Sequence, residues 1–173
     1  MYAERKAEDI IMLSIKRFLW YDCVINNECF LRNRIMDKQQ IYKFMRDNPT
    51  AAIATADENR PFVRIIMLYR ADEAGIIFCT GEDKDFNRQL RRNPVIEICV
   101  TDIKKEKQLR ISGTVEELED IELKEQVVRD WPFLKEWVDR EGIDALVVYN
   151  LKGGRATVWT METNFSPKTY IEL

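Results

Sequence analysis

The chain of 173 residues is 46% hydrophobic and 33% charged with a net charge of -3, a balance that suits one globular domain and is too apolar for disorder. A mildly acidic protein has no overall electrostatic pull toward nucleic acid or anionic membrane, so any basic function must be local. Histidine is absent, which excludes Ser-His and Cys-His nucleophile pairs, histidine general bases and histidine-ligated zinc or haem. Chemistry in such a chain points to a bound cofactor as the source of the reactive atoms. Cys23, Cys29, Cys79 and Cys99 show no CxxC spacing. They read as free thiols in a reducing, cytoplasmic setting, with no metal site expected.

Residues 1–35 form an extension of their own. The stretch EDIIMLSIKRFLWYDCVI is apolar enough for a helix, but Lys16 and Arg17 interrupt it. It falls short of the roughly 20 apolar residues of a membrane span, and it lacks the pattern of a secretory signal. Two readings stand: a helix that packs on the body or on a partner, or a leader upstream of a true start at Met36.

The pattern becomes regular from Met36. Ile41, Phe44 and Met45 recur at helical spacing behind Asp37 as N-cap, and Asn48-Pro49 ends that helix. The run TAAIATADENRPFVRIIMLYRADEAGIIFCT reads as three strands, with turns at 57–61 and 71–75. A helix over about 83–92 stops at Asn93-Pro94. VIEICVTD and KQLRISGTVEEL are two further strands; in the second, Leu109, Ile111, Gly113 and Val115 share one face. One or two helices follow, with Pro132 near a junction and Gly142 as the stop. ALVVYNLKGGRATVWT reads as a hairpin turning at Gly153-Gly154, and the tail from Met161 as irregular. Six or seven mainly antiparallel strands with two helical insertions predict a mostly β fold, a small closed barrel with helices over residues 36–173.

Two places carry chemistry. Arg64 lies in an otherwise apolar strand, where an unpaired charge would be costly, so it calls for an anion or an ion-pair partner. At the end of the third strand, Thr80-Gly81 leads into Lys84 and a helix bearing Arg88, Arg91 and Arg92. An ammonium, a hydroxyl, turn amides and a helix start are the donors a phosphate needs. The same charges also suit a solvated helix face, and for Arg91 and Arg92 that plain reading is preferred.

The ordered series Pro61 to Met67, then Phe78-Cys79-Thr80, Lys84, Asn93-Pro94 and a strand opening on Gln108 resembles the pyridoxamine 5'-phosphate oxidase-like family of FMN-binding split β-barrels. The resemblance spans roughly 36–159. It implies FMN as cofactor, held by Arg64, Ile65, Ile66, Met67, Cys79, Thr80 and Lys84, with Gln108 reaching the flavin across a dimer interface and Trp159 as a flavin neighbour. It further implies a homodimer with the flavin at the subunit interface, and hydride transfer through FMN to an unknown small substrate. The nitroimidazole-resistance branch is one such relative. The chain departs from the oxidase at Asp83, where the family enzyme has arginine beside the phosphate lysine, and at Tyr69, where it has a substrate lysine; it also lacks the oxidase's C-terminal segment. True pyridoxamine 5'-phosphate oxidase activity is therefore not expected. A non-catalytic flavin-binding or sensing module and a member using deazaflavin F420 are the alternatives. No nucleic-acid or membrane partner is expected.

Overall fold

The structure is a computed structural model that describes residues 36–173. The helical or start-site readings of residues 1–35, with Cys23 and Cys29, lie outside the described residues. Helix α1 (Lys38–Asp47) begins with a reciprocal cap: the Gln40 amide donates to the Asp37 carboxylate at 2.8 Å, and the Asp37 amide donates to the Gln40 side chain at 3.0 Å. Its Ile41, Tyr42, Phe44 and Met45 are buried, and Arg46 donates to the Ala71 carbonyl at 2.7 Å.

The strands are β1 (Thr50–Asp57), β2 (Arg60–Asp72), β3 (Gly75–Gly81), β4 (Val95–Asp102), β5 (Lys107–Leu118), β6 (Leu146–Leu151), β7 (Arg155–Thr160) and β8 (Ile171–Glu172). The antiparallel order β4-β1-β2-β3-β6-β5 closes on itself because β5 also pairs with β4, giving a six-stranded barrel. Strands β7 and β8 extend the sheet beyond it. Alternation fills the interior: Ile53, Ile98, Val100, Leu109 and Ile111 are fully buried from β1, β4 and β5, and Ile76 and Phe78 from β3. The expected barrel is present, with eight strands among the described residues rather than six or seven.

Helix α2 (Asp85–Arg92) follows β3 and lays Phe86 on Phe78, which also stacks on Tyr149, with ring centroids 5.9 and 5.8 Å apart. Helices α3 (Ile121–Asp130) and α4 (Lys135–Glu141), joined by a single 3-10 turn from Pro132 to Leu134, cover the outside of β3 and β6. Leu123, Val127 and Val138 meet Ile77, Leu146 and Val148 there in a second apolar cluster. Strand β6 is accordingly buried throughout, from Leu146 to Leu151, with Asn150 as the one polar side chain in it.

The segment from Leu146 to Thr160 is not a hairpin, which corrects the sequence reading. Strands β6 and β7 both run antiparallel to β5 along the same edge, Leu151 opposite Val115 and Arg155 opposite Ser112. Gly153 and Gly154 therefore kink one line of chain from the barrel to the outer sheet. Both have positive φ, 81° and 112°. A Cβ on Gly154 would stand 2.9 Å from the Ser112 carbonyl oxygen. The tail is also more ordered than expected, since β8 pairs with β7 through Arg155–Glu172 and Ala156–Ile171.

Gly154→Ala is expected to cost about 1–3 kcal/mol for backbone strain, plus a steric penalty at Ser112. Gly142, also at positive φ but with nothing within 4 Å, carries the backbone part alone. Urea midpoints of the two alanine variants should differ, with Gly154→Ala the less stable; equal midpoints would remove the close approach as the cause.

Candidate functional site

Strand β2 parts company with β3. The ladder between them runs from Asp72–Gly75 to Leu68–Phe78 with an irregularity at Leu68/Arg70, and from Arg60 to Met67 β2 pairs, among the described residues, with β1 alone. Among the described residues the other edge of this stretch is open, with no strand opposite the backbone donors and acceptors of Arg64–Met67. A cleft of about 1190 Å³ lies along that edge. Arg64, Ile65, Ile66 and Met67 form one wall with Cys79, Thr80 and Gly81; the turn from Glu82 to Phe86 closes one end, and Trp131, Phe133 and Trp137 face in from the α3–α4 insertion. Seven of the nine sequence-predicted residues are thus gathered in one place.

Arg64 reaches across to α2 instead of meeting a carboxylate. It donates to Thr55 Oγ1 at 2.8 Å and to Gln89 Oε1 at 2.6 Å, with its guanidinium 4.4 Å from the centroid of Phe86. Burial holds its pKa below the ordinary arginine value. Its hydrogen-bond partners are neutral, so the positive charge is not cancelled by an ion pair among the described residues. The sequence reading anticipated an anion or a salt bridge here and missed Thr55, Gln89 and Phe86, which no local spacing links to Arg64.

The turn after β3 is braced from behind. The Lys84 amide donates to the Gly81 carbonyl at 3.2 Å, and the Glu82 amide to the Ala145 carbonyl at 2.8 Å. Asn87, fully buried, donates to the Glu82 carbonyl at 2.9 Å and accepts from the Tyr149 hydroxyl at 2.7 Å. Arg91 grips both Glu82 and Glu117, and its guanidinium holds the Glu82 carboxyl below the usual range. Arg91 is thereby spent on structure, as is Arg92 in its pair with Asp57 at 3.1 Å. Arg88 is turned back onto the Asp83 carbonyl and Asp85. Lys84 is different. It is exposed, it caps α2 without a side-chain bond, and it has no ion-pair partner among the described residues. Thr80 beside it is buried at the cleft wall, and its hydroxyl makes no side-chain hydrogen bond among those residues.

The helical wall was legible only as packing. Tyr69 donates to Asp130 at 2.6 Å and meets Trp131 edge-on with centroids 5.5 Å apart; burial, then the Asp130 bond, push its hydroxyl up to about 12. Trp131 and Trp137 pack on the second apolar cluster and line the cleft as well. Gln108 and Trp159 stand elsewhere: they face one another across β5 and β7, and neither lines this cleft. Trp159 donates to Asn164 at 3.0 Å. Among the described residues no cluster of acidic and cysteine side chains is placed to hold a metal, and no helix is long and apolar enough to cross a membrane.

A sequence profile of the pyridoxamine 5'-phosphate oxidase family matches residues 37–157. A pyridoxine/pyridoxamine 5'-phosphate oxidase of Burkholderia mallei is 29% identical over 99 residues, 57% of this chain and 46% of that protein, so the match spans less than half of the relative. A NimC/NimA family protein from Clostridium acetobutylicum superposes with a TM-score of 0.66 at 20% identity, over 79% of this chain and 93% of the other. An FAD-binding protein from Mesorhizobium loti does so at 0.52 and 18% identity, over 67% and 88%. These likenesses establish the same fold, and with the profile match covering the barrel and its helical insertions, the chain belongs to the pyridoxamine 5'-phosphate oxidase family.

Proposed function

We propose that the protein is an FMN-binding oxidoreductase that works as a homodimer on a small molecule. The observation that carries this is the cleft itself, an open strand edge and an apolar wall ending at a turn whose lysine and threonine are uncommitted. Lys84, Thr80 and the turn amides suit a phosphate. Arg64 adds positive potential from behind without offering a charge already neutralised. Ile66 and the open edge of β2 suit a planar ring that needs apolar contact on its face and hydrogen bonds at its rim. FMN, when bound, supplies the capacity to accept and pass on hydride; the chain's own part is to bind, orient and exclude water.

Cys79 is not a nucleophile in this reading. Burial raises its thiol to about 11 against the opposing influence of Lys84, so it stays protonated at neutral pH and serves as apolar wall. Association is supported by the outer face of β2, where Val63 and Ile65 are each 69% exposed and Met67 is 46% exposed. They flank Ala52 and Ala54 of β1, so a second copy can approach closely. Gln108 and Trp159, on the same sheet but away from the cleft, are the residues such a copy would bring to the partner's flavin.

Purified protein titrated with FMN and with FAD should bind FMN more tightly, and the complex should bleach with NADH or NADPH; binding without bleaching supports a flavin-binding module, and a colourless protein that neither flavin stabilises to heat overturns the flavin reading. Lys84→Ala is expected to weaken FMN by about 1.5–3 kcal/mol, whereas an unchanged dissociation constant returns Lys84 to the solvated surface. Ile65→Asp should convert a dimer to a monomer by light scattering, and a wild-type monomer would remove the interface. The raised Cys79 thiol means that the native state keeps a proton the unfolded chain loses. Its contribution to stability is therefore complete below about pH 9 and lost as pH rises through about 11. Urea denaturation at pH 8 and pH 10.5 should show that fall, reduced in Cys79→Ala.

A further inference from the structure

We infer that the helical wall of the cleft receives a second ligand that is flat and cationic or neutral, and that phosphate esters are disfavoured there; this rests on the reading of the β2 edge and the Lys84 turn as the flavin's seat. The volume, about 1190 Å³, exceeds the roughly 300–1,000 Å³ typical of a site for one small ligand. Once a flavin occupies the barrel wall, the remaining space is bounded by Trp131, Phe133 and Trp137. Trp131 and Phe133 stack with centroids 5.7 Å apart and planes 24° from parallel, and Phe133 is nevertheless 65% exposed. That is a flat aromatic surface presented to the cleft.

Charge sets the sign of what lies on it. The lining carries two basic residues, Arg64 and Lys84, against five acidic ones. Both basic residues belong to the barrel and the turn. From Trp131 to Leu146 the lining includes no lysine or arginine, but it does include Glu141 and Asp144. Glu141 is paired with Arg140 at 2.7 Å, while Asp144 has no ion-pair partner among the described residues. A second phosphate would find no cationic side chain on this wall, only the neutral indole N–H groups of Trp131 and Trp137, and would meet the negative charge of Asp144. A planar cation would find ring faces on one side and a carboxylate at the rim, the arrangement that favours cation–π binding. The FMN phosphate itself adds negative charge to the cleft and reinforces the preference.

The test uses three probes that share one ring: 1-methylnicotinamide as cation, nicotinamide as neutral and nicotinate as anion. Each is titrated into the full-length protein by quenching of tryptophan fluorescence, with and without FMN, and FMN binding is followed separately by its own fluorescence. The cation is expected to bind about tenfold more tightly than nicotinate, with nicotinamide between them. Asp144→Asn should narrow the cation-to-anion ratio about threefold or more while leaving nicotinamide unchanged. Phe133→Ala, at an exposed position, should weaken the cation and nicotinamide alike. Nicotinate binding as tightly as the cation overturns the inference, as does a ratio that Asp144→Asn leaves unchanged, or failure of all three probes to bind at millimolar concentration. If FMN does not bind, the flavin reading falls whichever way the series runs; if FMN binds and the series shows no charge preference, only this inference falls.

Discussion

Everything at the cleft depends on the place where β2 leaves β3. A barrel strand normally has neighbours on both sides, and closure is what removes exposed edges. Here the ladder stops at Leu68, and among the described residues the stretch from Arg60 to Met67 keeps one neighbour only. Backbone groups left open in this way demand partners, from water or from a ligand. The split therefore does two things at once. It opens a space between β2 and the end of β3, and it lines that space with polar backbone set in apolar side chains.

The remaining architecture keeps the opening in shape. Helix α2 sits against β1 and β3 and gives Arg64 its acceptor Gln89, while β1 gives it Thr55; α3 and α4 supply the opposite wall. The turn between β3 and α2 is held by contacts far apart in sequence: Tyr149 to Asn87, Arg91 to Glu117, Glu82 to Ala145. Of these the Tyr149–Asn87 bond is buried, and a satisfied buried polar link rigidifies what it joins; the Arg91–Glu117 pair is exposed. Lys84 is left on the near side of this braced turn, where an anion, on the proposed reading, would meet a backbone already organised. Exposed ion pairs elsewhere, such as Lys135 with Asp139, add little to stability and nothing to this geometry.

Much of this was legible in the sequence because the signals were local. The Asp37 cap, the alternation of β4 and β5, the stop at Asn93-Pro94 and the Thr80-to-Lys84 turn each depend on residues within a few positions. The kink at Gly153-Gly154 was misread for the same reason. Two glycines between apolar runs signal a hairpin, but the choice of partner is made by β5, some forty residues earlier in the chain, and only its long edge shows that β6 and β7 lie in line. Likewise, Trp131 and Trp137 carry the spacing of packed helix residues, and they do pack. That the same rings also face a cleft follows from where the insertion lands on the barrel, which periodicity does not encode. The partners of Arg64 were hidden because Gln89 and Thr55 look like ordinary polar positions until α2 is placed.

Strand β2 has a further consequence through its two-sidedness. Its edge lines the cleft, and its outward side chains, Val63, Ile65 and Met67, form an exposed apolar stripe. The pleat makes these inseparable: any shift of the strand that changes what the edge offers also changes how the stripe is presented. A molecule gripping the edge and a surface covering the stripe would thus act on one strand, and any coupling between them would be equal in both directions.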